Sequence, residues 1–435
     1  THRVAGGVEL GRRHTKYERL NEQYYYSTAT SLPATGALAN CQFADGSIDT
    51  EGCSATRTPA QNRGQYFRNL LVYHPGSFAL DSNTMAAYLE DEASWRDVSL
   101  RLGARADKDT LAGKANAAPR IKLGWQAAEP VYLDIGMNRY YGRNLLSYAL
   151  QEKINTLKTA QTRNVTNGPL NWGPSQVSKP LNRLEDLRSP YDDELTAGAT
   201  YESDWLAGPL SMRFTRRDGK DQIVKTQPRQ GGDCGNTQCY VYTNDGGSVT
   251  KDLTISWSNA RAFKVAGVVT RMWVAANKSD VKSNYSSYAD VYGADFLNDV
   301  LIRYDGKVIR NSERPADNYN RPWTLRIGAM STMPARHLTI NNVLRVRGGF
   351  EQMLRNGSFD YQGATIDNYE KTALPRSVAI DTVLHWTPRV YRDQNLDVKL
   401  TVENITNHKN QIAVGETYAT YERGRTFALE IGYAF

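Results

Sequence analysis

The four cysteines are the residues whose spacing points most directly to chemistry in this 435-residue chain. Cys41 and Cys53 share one stretch rich in Gly, Ser and Asp, and Cys234 and Cys239 share a second stretch. Close pairs in even number are typical of disulfides that form in an oxidising compartment. A metal site is the alternative, although neither pair has C-x-x-C spacing or a neighbouring His. We therefore predict two loop disulfides.

No set of catalytic side chains is recognisable among the other polar residues. The six histidines are His2, His14, His74, His337, His385 and His408. None has a partner at metal-binding spacing, and no Ser, His and Asp arrangement stands out. The acidic run Asp192–Glu194 could bind Ca²⁺, with a solvated loop as the alternative. We predict neither enzyme activity nor a resident cofactor or metal ion.

The elements that position these residues are predicted to be β-strands, and the last strand shows the pattern best. Its apolar side is formed by Phe427, Leu429, Ile431, Tyr433 and Phe435. The intervening residues are small or polar, as expected when successive side chains point to opposite faces. The segment resembles the closing strand of a bacterial outer-membrane β-barrel, with the last strand of a soluble sandwich as the alternative.

About fourteen alternating segments of this kind are predicted along the chain, and their connections alternate in length. Short connections lie near 95–97, 127–130, 206–208, 258–261, 333–336 and 388–394. Long polar ones lie near 15–77, 105–118, 143–190, 221–248, 276–320, 349–374 and 405–423. Short turns at one end and long loops at the other are typical of outer-membrane barrels. The long loops carry strand-like pieces such as Tyr66–Tyr73, which we interpret as part of a loop or as a strand extension, because counting it as a further strand would break this alternation.

These patterns predict an all-β fold, a transmembrane antiparallel β-barrel with a polar interior. Both cysteine pairs fall in long loops, which lie outside the cell if the C-terminus is periplasmic. Five basic residues are predicted to face inward, where they require water or a polar partner: Arg101, Arg105, Lys122, Arg213 and Lys399.

Composition agrees with this fold and argues against other classes of protein. No run of eighteen apolar residues exists, so no transmembrane helix is predicted. The mean hydropathy of −0.58 would suggest a soluble protein, but polar interior residues dilute those that face lipid. The net charge is +7 and the basic residues are scattered, which argues against a nucleic-acid partner.

Five segments in order resemble the barrel of TonB-dependent outer-membrane transporters of the siderophore-receptor type. They are M-A-A-Y-L-E-D-E-A-S-W with V-S-L-R-L-G-A-R-A-D (85–107), S-P-Y-D-D-E-L-T-A-G-A-T-Y (189–201), M-R-F-T-R-R-D-G-K-D-Q-I-V (212–224), L-T-V-E-N-I-T-N (400–407) and G-R-T-F-A-L-E-I-G-Y-A-F (424–435). The family barrel has twenty-two strands and an N-terminal plug. The resemblance implies that residues 1–435 are the C-terminal part of such a barrel. The plug, the TonB box and about eight strands are then expected upstream of Thr1.

The resemblance also implies active uptake of a ferric siderophore across the outer membrane. The implied partners are the TonB–ExbB–ExbD complex, outer-membrane lipid and the barrel assembly machinery, which would read Phe427, Tyr433 and Phe435. Arg charge and aromatic faces suit anionic chelates that carry aromatic rings. Candidate ligand contacts in the loops and the barrel mouth are Tyr140, Tyr141, Arg143, Trp172, Tyr285, Tyr288, Tyr319, Tyr418, Tyr421 and Arg423. An aromatic girdle or loop-on-loop packing is the alternative role for each.

Two other functions stay open from the sequence. One is a passive porin-type channel, which would need a closed strand set and no plug. The other is a receptor of the same family for haem or for a host protein. The F-R-A-P and N-P-N-L motifs of some haem transporters are absent, and no His lies between residues 75 and 336.

Overall fold

Fourteen long antiparallel strands form the main sheet, as the sequence predicts. The computed structural model describes residues 1–33, 37–57, 62–111, 114–142, 145–163, 170–177, 187–225, 242–283, 301–310, 321–391, 394–414 and 419–434. The strands are β1 (His2–Arg19), β2 (Gly76–Trp95), β3 (Val98–Asp109), β4 (Ala115–Ala128), β5 (Val131–Tyr141), β6 (Tyr191–Ser203), β7 (Gly208–Lys225), β8 (Tyr242–Ser258), β9 (Val268–Ser283), β10 (Trp323–Met333), β11 (Leu338–Arg347), β12 (Ser377–Trp386), β13 (Gln394–Glu403) and β14 (Thr426–Ala434). Each pairs with the next along the chain. Within the described residues β1 pairs only with β2, and β14 only with β13, so both sheet edges are open.

Two chemically different faces run across the sheet, because directly paired residues of antiparallel strands point to the same side. One continuous row of paired residues is Leu210, Trp257, Val274, Ile327, Leu344 and Ile380. Large apolar residues on this side stay exposed, with Val8 at 75% and Ile431 at 68%. We call this side the apolar face and the other the polar face. On β9 the apolar face extends over nine residues, Val268 to Ala276, the length that a tilted strand needs to cross a bilayer.

The polar face is lined by ion pairs between neighbouring strands. Arg101 of β3 contacts Glu92 of β2 at 3.0 Å, and Lys399 of β13 contacts Glu430 of β14 at 3.1 Å. All five basic residues predicted to face inward lie on this face and contact a carboxylate: Arg101, Arg105, Lys122, Arg213 and Lys399. These five charges therefore lie on the face opposite the apolar one, where they would avoid the cost of about 2–4 kcal/mol that a charge facing lipid has at mid-membrane.

The two ends of the sheet differ in their connections as predicted, except that the connection 110–114 is shorter than 259–267 and 387–393 at the other end. The short-turn rim has the connections 96–97, 129–130, 204–207, 259–267, 334–337 and 387–393. The other end, which we call the long-loop rim, has all the remaining connections, and β14 ends at the short-turn rim. Several predicted boundaries differ from the structure. The connection predicted near 258–261 extends to 267, because the next long strand starts at Val268 and Phe263–Val265 is a short strand that pairs with its beginning.

The long connections fold into sheets of their own beyond the long-loop rim. The first loop sheet contains Gln23–Ser31, Cys53–Ser54, Gln65–Tyr73, Lys158–Thr162 and Gln176–Val177. The second loop sheet contains Leu301–Tyr304, Lys307–Arg310, Phe350–Tyr361 and Ala364–Leu374. A further hairpin joins Gln411–Val414 to Ala419–Tyr421. The strand-like piece Tyr66–Tyr73 belongs to a long connection, as predicted, and it lies in the first loop sheet and outside the main sheet.

One α-helix, α1 (Leu145–Thr156), lies in the connection between β5 and β6, where the sequence analysis predicted only a polar loop. Leu145 and Tyr148 are buried with Leu187 and Ile223, against Leu111. Short 3₁₀ turns are found at Ala37–Asn40, Asp204–Leu206 and Pro334–Arg336. None of the described helices is long and apolar enough to cross a membrane.

Candidate ligand-binding site

A cluster of charged and aromatic side chains lies on the polar face near the long-loop rim. Glu194 of β6 forms its centre and accepts hydrogen bonds from Arg217 of β7 and, at 3.3 Å, from Asn138 of β5. The Tyr140 hydroxyl lies 3.4 Å from the same carboxylate, and the Arg120 guanidinium lies 5.6 Å from the centre of the Tyr140 ring. Arg217 and Tyr140 are 49% and 39% exposed, so both offer surface to a ligand. We call these five residues the mouth cluster.

A small recess lies at the long-loop rim and is lined by residues of β1 to β5 and of the connection after β5. It has a volume of about 150 Å³ and is lined in part by Glu9, Arg105, Asp107, Asn116 and Ser189. Arg105 contacts Glu9 and Asp107, each at 2.8 Å, so its charge is balanced within the recess. Pockets that enclose a drug-sized ligand measure roughly 300–1,000 Å³. A ligand of that size would therefore also have to contact the mouth cluster or the loops above it.

Tyr140 and Tyr141, both predicted as ligand contacts, point to opposite faces of β5. Tyr140 lies on the polar face in the mouth cluster, whereas Tyr141 points to the apolar face. There its ring is 5.5 Å from that of Tyr191, next to Arg139, which lies 4.3 Å from the Tyr191 ring centre. Tyr141 therefore packs in an aromatic group at the rim, and it also lines the recess described above.

Trp172 is a packing residue of the first loop sheet. Its ring centre lies 4.0 Å from the guanidinium of Arg163, which also lies 5.5 Å from the Tyr66 ring centre. The Arg163 side chain is 0% exposed and contacts the Asp49 carboxylate at 2.6 Å. It also donates hydrogen bonds of 2.7 Å to the carbonyl oxygens of Phe67 and Gly52. A buried charge is tolerated because its donors have partners, and these partners come from distant parts of the chain.

The other predicted residues are exposed or lie outside the described part of the chain. Tyr421 is 50% exposed in the hairpin Ala419–Tyr421 and Gln411–Val414. Arg423 is exposed beside Glu422, which pairs with Arg347 of β11. The positions not described are Arg143, Tyr285, Tyr288, Tyr319, Tyr418, Cys234, Cys239 and Phe435.

The disulfide predicted between Cys41 and Cys53 is confirmed and braces the core of the first loop sheet. Cys41 is buried with Leu32, Tyr66 and Leu170, and its carbonyl oxygen accepts a 2.8 Å hydrogen bond from the Asp49 amide. The bridge closes a loop across twelve sequence positions, for which a stabilisation of about 3 kcal/mol is typical. The bridge thus holds the segment that supplies the carboxylate partner of Arg163.

Glu22 and His74 connect segments at the base of the first loop sheet. His74 Nδ1 lies 2.8 Å from Glu22, and its Nε2 lies 2.8 Å from the Thr159 hydroxyl. The Tyr24 hydroxyl donates a 2.6 Å hydrogen bond to Glu22. This bond, together with that of His74, lowers the pKa of the Glu22 carboxyl below its usual value. His74 thus bridges two loops.

The sequence analysis missed Glu194, Arg217 and Arg120 as site residues. The run Asp192–Glu194 was considered for Ca²⁺, but it lies in a strand, so Asp193 points to the face opposite Glu194. Among the described residues no group of three metal-binding side chains comes together. These residues could have been predicted from strand alternation in β5, β6 and β7, because it puts Tyr140, Glu194 and Arg217 on one face.

Close packing on the polar face predicts that a larger residue in place of Gly198 of β6 destabilises the sheet. A Cβ atom there would collide with the carboxylate of Asp134, which is 5% exposed and contacts Arg213 at 3.3 Å. Gly198→Val should destabilise the full-length protein by about 1–3 kcal/mol in urea unfolding. Ala199→Val is the matched control, since Ala199 is exposed on the apolar face, and it should be nearly neutral. Equal stability of the two variants would contradict the packing described here.

Comparison with known proteins establishes the fold. No protein-family model matches the chain. The uncharacterized protein YddB of Escherichia coli (strain K12) is 26% identical over 376 residues, which cover 84% of this chain and 45% of the relative. The chain therefore spans about half the length of that curated relative.

Solved structures extend the similarity across nearly the whole chain. The outer membrane transporter YddB from Escherichia coli matches with a TM-score of 0.72 at 23% identity, over 99% of this chain and 51% of that one. A mutant of the ferric enterobactin receptor PfeA from Pseudomonas aeruginosa, in complex with enterobactin, matches with a TM-score of 0.53 at 15% identity, over 99% and 60%. The siderophore receptor PirA from Acinetobacter baumannii matches with a TM-score of 0.52 at 12% identity, over 98% and 59%. The chain has the barrel fold of TonB-dependent outer-membrane transporters, as the sequence resemblance predicted.

Proposed function

We propose that this chain is the C-terminal part of the barrel of a TonB-dependent transporter that takes up a ferric siderophore across the outer membrane. The fold supports the transporter class, and the mouth cluster carries the proposal for the ligand. Arg217, Arg120 and Tyr140 present positive charge and an aromatic ring on the polar face below the loop sheets. Charge-assisted hydrogen bonds and cation–π contacts are the interactions that an anionic, ring-bearing chelate would use.

The orientation follows from the two rims. In this proposal the long-loop rim is extracellular and the short-turn rim, where β14 ends, is periplasmic. Phe427 and Tyr433 are exposed on the apolar face of β14, at 66% and 52%, where the barrel assembly machinery could reach them. The remaining candidate contacts in the loops, Tyr421 and Arg423, would meet the ligand before the mouth cluster does.

The open edges of β1 and β14 require further strands in a bilayer. Unpaired backbone groups at a lipid-exposed edge each cost several kcal/mol, so a spanning sheet has to close. We propose that a longer protein supplies these strands, together with a plug that couples to the TonB–ExbB–ExbD complex. The matched lengths of the similar proteins support this part of the proposal.

The test is uptake of radioactive iron by cells that express the full-length protein, with a panel of catecholate, hydroxamate and carboxylate chelates. Arg217→Gln should raise the chelate concentration needed for half-maximal uptake about tenfold or more, because a charged hydrogen bond to the ligand is lost. Arg216→Gln is the matched control, since Arg216 points to the apolar face. No uptake of any chelate, or uptake that persists after the proton gradient is collapsed, would contradict the proposal.

A further inference from the structure

A group of basic side chains lies on the apolar face at the long-loop rim, outside the mouth cluster. It consists of Arg139, Arg216, Lys220, Lys251, Lys278 and Lys282, which we call the basic rim patch. These residues come from four strands, β5, β7, β8 and β9. None of them faces the polar interior, so the site proposed above does not use them.

The strand register shows how deep the basic rim patch lies. One row of paired residues contains Phe214, Leu253, Lys278 and Trp323. The next row towards the loops contains Arg216, Lys251 and Asp280, and the row after that contains Asp218, Val249 and Lys282. On β9 the apolar face extends from Val268 to Ala276, and Lys278 is the next residue on that face.

This placement puts the patch at the level of the lipid headgroups. A Lys or Arg on the lipid side of a barrel costs about 2–4 kcal/mol at the midplane and only about 0–1 kcal/mol near the interface. The aromatic pair Tyr141 and Tyr191 borders the patch, and aromatic rings of this kind are enriched at the same level.

The charges of the patch are only partly balanced within the described chain. Asp193 contacts Arg139 at 2.7 Å and Lys220 at 3.2 Å, and Asp218 contacts Arg216 at 3.1 Å. Lys251, Lys278 and Lys282 are exposed, and no ion pair with a described carboxylate is formed by any of them. Asp280 lies among these three lysines, so the six basic and three acidic residues leave a surplus of three positive charges.

The opposite end of the same strands has no such group. Towards the short-turn rim the apolar face of β7, β8 and β9 continues through Leu210, Trp257 and Val268. Positive charge on the lipid side of these three strands is therefore confined to the rim that the proposed function places in the outer leaflet. A general need for solubility would not produce this difference between the two rims.

We propose that the basic rim patch binds the phosphate groups of a phosphorylated glycolipid of the outer leaflet. The proposal rests on the orientation given in the proposed function. Lys supplies point charges and Arg supplies a fork of donors for phosphate oxygens, and basic clusters beside a membrane surface attract anionic headgroups. The acyl chains of the same lipid would lie against the apolar row below, at Phe214 and Leu253.

The test uses the full-length protein in uncharged detergent, titrated with bisphosphorylated lipid A and followed by native mass spectrometry. The triple variant Lys251→Gln, Lys278→Gln and Lys282→Gln should bind this lipid on the order of a hundredfold more weakly, since each surface lysine contributes about tenfold or less. The matched control removes three exposed lysines elsewhere, with Lys264→Gln, Lys307→Gln and Lys409→Gln, and should bind like the native protein.

A second experiment compares two lipids on the native protein and needs no variant. The native protein should lose the same binding when lipid A is replaced by its dephosphorylated form with identical acyl chains, and millimolar inorganic phosphate should not compete fully. Equal binding of the two lipids, or an unchanged affinity in the triple variant, would overturn the proposal. Chelate uptake is measured separately, so a failed transport proposal would leave this lipid binding intact and would be recognised as a different result.

Discussion

Replacement of Arg163 by Ala is expected to unfold the first loop sheet while the fourteen-stranded sheet stays folded. The Arg163 side chain is fully buried and holds Asp49, the Gly52 and Phe67 carbonyl oxygens and the Trp172 ring. Its removal leaves Asp49, 6% exposed at its side chain, as a buried carboxylate without its cation. Breaking a buried pair in this way costs about 3–5 kcal/mol. The stability of the main sheet should not change, because its strands pair with one another and not with this residue.

Hydrogen exchange of the full-length protein in detergent would measure this effect region by region. Amides of Gln65–Tyr73 and Lys158–Thr162 should lose protection in Arg163→Ala, and those of β6 to β9 should keep it. Arg188→Ala is the matched control, because Arg188 pairs with Asp221 but is 58% exposed. An exposed pair contributes about 0–1 kcal/mol, so this control should exchange like the native protein. Protection retained in Arg163→Ala would show that the loop sheet does not depend on the buried charge.

Replacement of Ile255 by Arg should destabilise the main sheet itself. Ile255 is 42% exposed on the apolar face of β8, in a row with Met212, Ala276 and Leu325. This row lies inside the apolar band, one row below Leu253, so a charge there would face hydrocarbon. We expect a loss of about 2 kcal/mol, between the midplane cost of 2–4 kcal/mol and the small cost at the interface.

The adjacent residue supplies the control for this experiment. Ser256 points to the polar face, and Ser256→Arg should be tolerated within about 1 kcal/mol because the barrel interior is polar. Both variants would be unfolded by denaturant in phosphatidylcholine vesicles as full-length protein. A larger loss in Ser256→Arg than in Ile255→Arg would mean that the two faces are assigned the wrong way round.

The sequence was sufficient for the faces and the order of the main sheet. The alternation in β14, with Phe427 and Leu429 opposite Glu430, reads directly as two faces because a strand turns each successive side chain over. The same reasoning placed Arg101 and Lys399 on the polar face, where each meets a carboxylate. A repeating local pattern therefore predicted both the strand number and the alternation of short and long connections.

A helical pattern in one loop was present but was not recognised. Leu145, Tyr148 and Ala149 recur at the spacing of one helix face, and all three are buried in α1. Gln65–Tyr73 has the composition of a strand, and it is one, in a separate sheet. The helix was missed because its connection is long and rich in polar residues, whereas Tyr66–Tyr73 was left out of the strand count to keep the alternation of connections.

Which features could be predicted from the sequence, and which required the tertiary structure, depends on how far apart in the chain the interacting residues lie. The sequence alone determined the all-β class, the two faces of the sheet and the disulfide between two cysteines twelve positions apart. Only the tertiary structure showed that Arg163 meets Asp49 across 114 positions, or that Arg217 and Tyr140 converge on Glu194 from three strands. Strand alternation is a property of the local backbone, whereas these contacts depend on which strands pair and which loops pack together.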